Sequence, residues 1–374
     1  MSKKVTLLNV ILVIAGLLVG HPTFGHTIDT PEQSSENRQT GRNIIYLPLV
    51  SRQEAPKTGI YLGAYIDPVV DYQGKLTAFE QQVGKKHAIY QYYTYWGLGT
   101  FVSGNHKTLI DQITRIDATP MLTWMSIPNS GSNPNGCNRS NGRSDPNWNL
   151  DSILNGSHDA YLRQFAQEVA AYPHTLLMRW GHEMNLIDYS WAGYCNGRDT
   201  NKFILAYRHI VDIFRAQGAN NVKWIWSPNY QSWPVEAWNA YYNYYPGDAY
   251  VDWIGVVGYN WGRSRSDSGF EWDTFDSLYA KFLADATARY PSKPIMLADY
   301  ASVEDDGGDK AAWITDVFAK AKLYPNLRAL VWHNYNPSWY SPPVKLSVDS
   351  SSDALAAYQR AIQDNYFLSN NPFP

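Results

Sequence analysis

Leu176-Leu177-Met178-Arg179-Trp180-Gly181 is a short apolar run that ends in a glycine, and Val222-Lys223-Trp224-Ile225-Trp226-Ser227 is a second such run. Between them Phe203, Tyr207, Ile210, Val211 and Phe214 recur at helical spacing, with Asp199 or Thr200 placed to cap the start and Gly218 to stop the end. A strand, an amphipathic helix and another strand in succession form the unit from which parallel sheets are built. Working outward from it, further strand-like runs are Gly59–Ile66, Ala88–Tyr95, Pro120–Ser126, Val251–Tyr259, Pro294–Tyr300 and Ala329–Asn334. Eight strands close a barrel, so the fold expected is a single α/β domain, a (β/α)8 TIM barrel, over residues 58–374. Helices are also expected after Asp309, carrying Trp313, Ile314, Val317 and Phe318, and after Ser350–Asp353, carrying Leu355, Tyr358 and Ile362. An open doubly wound sheet is disfavoured, because Tyr65-Ile66-Asp67-Pro68 after the first strand is not a glycine-rich turn.

Residues 1–25 read as a signal peptide, with Lys3 and Lys4 before an apolar run from Val5 to about Gly20 and small residues at the expected cleavage point. Secretion is therefore expected; an uncleaved leader would leave an N-terminal membrane anchor, and after cleavage no membrane insertion is expected. Residues 26–57 read as a polar extension interrupted by the apolar patch Ile44–Val50. In an exported chain the two cysteines, Cys137 and Cys195, point to a disulfide between neighbouring loops, since two thiols alone do not complete a zinc shell.

The net charge of -3 becomes -5 without Lys3 and Lys4, which excludes the basic surface that a nucleic-acid partner would need. Aromatic residues make up 15% of the chain, with 15 Trp and 28 Tyr, and this excess suits a flat neutral ligand such as a pyranose ring. No metal or organic cofactor is implied, and a monomer is expected.

In a barrel the active face lies where strands end. Strand ends supply Arg179, His182, Glu183 and Asn185; Trp226, Ser227 and Asn229; Tyr259, Asn260 and Trp261; Asp299 and Tyr300; Trp332, His333 and Asn334. Two carboxylates among aromatics and amides are what glycosidic bond cleavage requires, one protonating the leaving oxygen and the other attacking the anomeric carbon or activating water. A zinc-protease reading of His182-Glu183 fails because the second histidine of HExxH would stand at Leu186. Neither a GxSxG elbow nor a GxxxxGK[ST] loop occurs.

The segment Arg179-Trp180-Gly181-His182-Glu183-Met184-Asn185, the helix Tyr207–Arg215, Trp224–Asn229, Tyr244–Asp248, Val251–Gly255 and Gly258–Asn260 together resemble glycoside hydrolase family 26. The resemblance runs from about Gly59 to Leu355. It implies a retaining endo-β-mannanase on a (β/α)8 barrel, with mixed-linkage β-glucanase and β-1,3-xylanase as minority activities. By the same resemblance Glu183 is the acid/base and Arg179 and His182 support the carboxylates. Tyr259 is then the tyrosine that orients the nucleophile, and Trp332 the platform under the sugar. Asn185, Trp226 and Trp261 join these as expected substrate contacts.

One position departs from the pattern. The family has Glu at the end of the seventh strand, and this chain has Asp299 within Lys293-Pro294-Ile295-Met296-Leu297-Ala298-Asp299-Tyr300. The stem is one methylene shorter, which withdraws the carboxylate by roughly 1 Å. A working aspartate nucleophile is the first expectation; a non-catalytic carbohydrate-binding relative and an inverting enzyme, whose carboxyls stand further apart, are the alternatives.

Overall fold

The computed structural model describes residues 59–128, 136–264, 269–304, 308–338 and 343–373. The expected leader and the extension with its apolar patch lie outside the described residues.

Eight parallel strands form the barrel: β1 (Ile60–Tyr65), β2 (Ile89–Tyr95), β3 (Thr119–Met125), β4 (Leu176–Trp180), β5 (Val222–Trp226), β6 (Trp253–Asn260), β7 (Ile295–Ser302) and β8 (Leu327–His333). Each pairs with the next, and β8 returns to β1 through Tyr61↔Ala329 to Tyr65↔His333, so the sheet is closed. Closure removes every free edge among these strands. A short terminal strand, Phe367–Leu368, pairs with the start of β1.

Alternation along each strand divides the core in two. Ile89, Met121, Leu177, Ile225, Trp253, Met296, Ala329 and Val331 fill the barrel interior, and a larger apolar layer lies between the strands and the outer helices. The outer ring includes α1 (Tyr72–Val83), α2 (His106–Thr114), α3 (Leu150–Leu154), α4 (Asp159–Ala170), α5 (Thr200–Ala216), α6 (Lys281–Arg289), α7 (Lys310–Ala321) and α8 (Ser352–Ile362). The Asp199 carboxylate caps α5 by accepting from the Asn201 amide, and Asp309 caps α7 by accepting from the Ala312 amide.

Strand β7 carries one extra residue. Val256 and Val257 of β6 face Leu297 and Asp299, and Leu330 and Trp332 of β8 face Leu297 and Tyr300, so both neighbours step past Ala298. This bulge turns Asp299 inward directly after the inward Ala298, and returns Tyr300 to the outer layer against Trp332.

Candidate active site

Glu183 follows β4 on a backbone that leaves the ordinary allowed regions. Gly181 has φ of 67° and Glu183 φ of 54°. A side chain at Gly181 would meet Phe203 at 2.8 Å, so only glycine fits there. The left-handed turn at Glu183 costs about 1 kcal/mol or more and persists because its surroundings hold it. The Glu183 amide donates to the Ser227 carbonyl at 2.8 Å, and Trp191 Nε1 donates to the His182 carbonyl at 2.7 Å.

The Glu183 carboxyl is fully enclosed. Asn229 Nδ2 donates to its Oε1 at 2.7 Å and the Tyr189 hydroxyl approaches Oε2 at 3.4 Å. Burial raises its pKa, the Asn229 bond opposes that, and Asp188 and Asp299 add to the rise, leaving it at about 7. Such a group holds a proton near neutral pH and can release it.

Asp299 is buried just as deeply but lies among donors. Tyr93 Oη donates to Oδ2 at 2.5 Å, Gln91 Nε2 donates at 3.1 Å, and the Arg179 guanidinium forms an ion pair with Oδ2. His333 Nδ1 lies 3.1 Å from Oδ1. An ionised carboxylate only accepts, so the imidazole donates through Nδ1. Burial alone would raise the Asp299 pKa; Arg179, His333 and Tyr93 outweigh it and hold the group well below the usual carboxylate range. Arg179 is itself steered by Thr123, whose Oγ1 accepts from Nε at 2.9 Å.

An aromatic collar surrounds this carboxylate. His333 stacks on Tyr65 with ring centroids 4.7 Å apart, Tyr93 meets Tyr65 edge-on at 5.2 Å, and Tyr259 meets His333 edge-on at 5.5 Å. His182 is buried beside Tyr189 and Tyr93, and burial together with the Arg179 charge keeps its imidazole neutral. Among the described residues no group of three His, Cys, Asp or Glu side chains is arranged to hold a metal ion.

The structure corrects several expected contacts. Trp332 is fully buried on the outer face of β8, where it packs on Tyr300, Trp313 and Tyr358 and donates to the Leu346 carbonyl. It is no sugar platform, because strand alternation sends its neighbour His333 into the site instead. Trp226 likewise faces outward, against Tyr241, Tyr245 and Tyr290. Asn185 is wholly buried and bonds the 229–233 loop, accepting from the Asn229 amide and donating to the Asn229 carbonyl; it positions Asn229 and does not face a substrate. Trp261, by contrast, lies against Tyr259, whose ring meets His333 in the collar, so its expected place beside the site is not contradicted. The hydroxyl that donates to Asp299 belongs to Tyr93 of β2 and not to Tyr259 of β6. Tyr93, Gln91 and Tyr189 escaped the reading of strand ends, although counting every second residue of β2 back from Tyr95 reaches both Tyr93 and Gln91.

Cys137 and Cys195 are joined, with Cα atoms 6.0 Å apart. The bond ties a small hairpin, Cys137–Asn138 paired with Arg143–Ser144, to the loop that follows Glu183.

A closed α/β barrel that carries two enclosed carboxyls of opposite proton affinity among aromatics at its C-terminal face has the architecture of the barrel-type glycoside hydrolases. A family model described as Glycosyl hydrolase family 26 matches residues 151–317 of this chain. The chain is 40% identical over 218 residues, 58% of its length, to a protein of Acetivibrio thermocellus called endoglucanase H. It is also 25% identical over 123 residues, 31% of the chain, to a β-1,3-xylanase from a Vibrio species. The chain spans about a quarter of the length of these curated relatives, 23% and 25% respectively. Among solved structures, a family 26 β-mannanase from Bacteroides ovatus superposes with a TM-score of 0.60 at 18% identity, covering 83% of this chain and 90% of that one. At that identity the likeness concerns the fold.

Proposed function

We propose that this protein is an endo-acting β-glycanase that cleaves internal glycosidic bonds with retention of configuration. The observation that carries the reading is the pair of enclosed carboxyls, one pushed up to about 7 and the other held ionised by Arg179, Tyr93 and His333. In the first step Glu183 gives its proton to the glycosidic oxygen while an oxygen of Asp299 attacks the anomeric carbon. The carbon–oxygen bond breaks, the leaving alcohol departs, and a glycosyl ester forms on Asp299. Glu183, now a carboxylate, takes a proton from water, whose oxygen attacks the same carbon and releases Asp299. The bulge at Ala298 supports aspartate in this role, because it re-aims the shorter side chain into the donor cluster.

For the substrate, the relative at 40% identity is named an endoglucanase, which favours a β-linked glucan. The family resemblance favours mannan, its majority substrate, and this is the second reading. Export fits the same proposal: a basic-then-apolar leader and a disulfide both suit an oxidising compartment.

The test is release of reducing ends from mixed-linkage β-glucan, mannan and β-1,3-xylan. Cleavage of glucan above the others is expected, with Glu183→Gln slower on polymer by about 10²–10⁴-fold. A wild type that binds these polymers and releases nothing, while Asp299→Glu gains activity, would overturn the enzyme reading.

A further inference from the structure

Asp188 is a buried carboxyl that the steps above do not use. It lies five residues after Glu183, in the loop between β4 and α5, and is 7% exposed. That loop folds back on the acid/base: the Leu186 amide donates to the Glu183 carbonyl at 3.0 Å, and Tyr189, next to Asp188, brings its hydroxyl to Glu183 Oε2. The Asp188 carboxylate is paired with the guanidinium of Arg139, whose side chain is about one-third exposed.

Arg139 reaches this position because several fastenings hold its hairpin against the loop. Gly136 bridges Tyr189, Arg143 bridges Asn196, Ser144 Oγ donates to the Cys195 carbonyl at 3.1 Å, and the Cys137–Cys195 bond joins the two segments. The Tyr194 hydroxyl also donates to the Arg139 carbonyl at 3.2 Å. A carboxylate in so enclosed a place would take up a proton if it lost its cation.

We propose that Asp188, held by Arg139 of the disulfide-bound hairpin, is a positioning residue for catalysis: its negative charge keeps the proton on Glu183, and the hairpin keeps that charge in place. The inference rests on Glu183 being the acid/base. Other groups also act on Glu183: Tyr93 of β2, Arg179 of β4, Tyr189, Asn229 after β5, Tyr259 of β6 and Asp299 of β7, with His182 next to it in the chain. Arg179 and the Asn229 amide favour loss of the proton, whereas the two aspartates oppose it. Asp299 and Asp188 are each paired with an arginine, and Asp188 is the one that acts from the hairpin side. Burial raises the Asp188 pKa to about 6 and Arg139 opposes that rise, favouring the ionised form that the ion pair holds.

The experiment is the pH dependence of kcat and KM for the full chain on whichever β-glycan the wild type cleaves. Asp188→Asn should move the alkaline limb of kcat to lower pH by about one unit, with KM little changed. Asp188→Glu should restore most of the limb. Arg139→Gln, at a partly exposed position, should move the limb the same way because an unpaired Asp188 takes up a proton; it carries the test if Asp188→Asn fails to fold. Limbs that stay with the wild type in variants of unchanged melting temperature overturn the inference. Should Glu183→Gln cleave polymer at the wild-type rate, the acid/base reading fails, and that outcome is separate from an unmoved limb.

Discussion

A carboxyl that protonates a leaving oxygen has to hold its proton at the working pH, and one that attacks carbon has to have lost it. Glu183 meets the first condition through burial, with a pKa of about 7, and Asp299 meets the second through Arg179, His333 and Tyr93. The expected pH profile follows with its signs. Activity falls as pH rises through about 7, where Glu183 ionises, and on the acid side it persists below the usual carboxylate range of about 4, because Asp299 stays ionised. The same burial appears in stability. The raised pKa of Glu183 contributes stability that is present below the ordinary glutamate value of about 4.3 and is lost as pH rises through about 7, a loss on the order of 3 kcal/mol. Glu183→Gln should therefore gain in melting temperature relative to wild type at pH 8 and gain less at pH 5. An alkaline limb that stays flat to pH 9, or a Gln variant with the same relative stability at both pH values, would contradict the assignment of that pKa.

Strand β8 shows how a one-residue difference in position separates packing from chemistry. Ala329, Val331 and His333 point into the barrel, while Leu330 and Trp332 point to the helices. His333→Ala removes one donor to an ionised carboxylate, worth about 1.5–3 kcal/mol, so kcat should fall roughly 10- to 100-fold with little change in melting. Trp332→Phe should do the reverse, lowering stability by about 1–3 kcal/mol while kcat holds. Steady-state kinetics beside thermal melts of the two variants would decide, and a Trp332→Phe enzyme with intact stability and lost activity would restore the platform role. The eight strands and the caps at Asp199 and Asp309 were legible in the sequence because apolar periodicity and capping chemistry are local. Which face a strand-end residue takes was not legible, because it depends on where closure sets the register. The extra residue at Ala298 leaves no local mark either, since its evidence is the mismatch with β6 and β8. Tyr93 and Gln91 belong to the same class: the strand was visible, but its inward side was visible only once Asp299 lay opposite.

The barrel has two ends with different duties: the carboxyls and the aromatic collar occupy the ends where strands finish, and the opposite end is closed by the C-terminal segment. There Phe367–Leu368 add a short strand beside Ile60 and Tyr61, and Phe373 packs against the inner apolar cluster. Lys85 Nζ donates to the carbonyls of Ile362 and Phe367, at 2.5 and 2.8 Å, and Thr119 Oγ1 donates to Asn371 at 2.6 Å. The Phe367 ring is buried and meets Phe318 of α7 edge-on at 4.8 Å, so one side chain joins β1, α7 and the terminal strand. Phe367→Ala would empty that junction and cost about 3–5 kcal/mol, the usual range for deleting a buried phenylalanine. The reacting groups and their partners lie at the far end, on or just after β2, β4, β5, β7 and β8, and none of these hydrogen bonds passes through residues 362–373. At a temperature where the variant remains folded, kcat and KM should stay within about twofold of wild type while the melting temperature drops. Denaturant unfolding and initial rates on the same preparation test this together. A variant that keeps its stability but loses kcat would mean that the closing segment reaches the active face through the barrel, against the division of labour that the geometry describes.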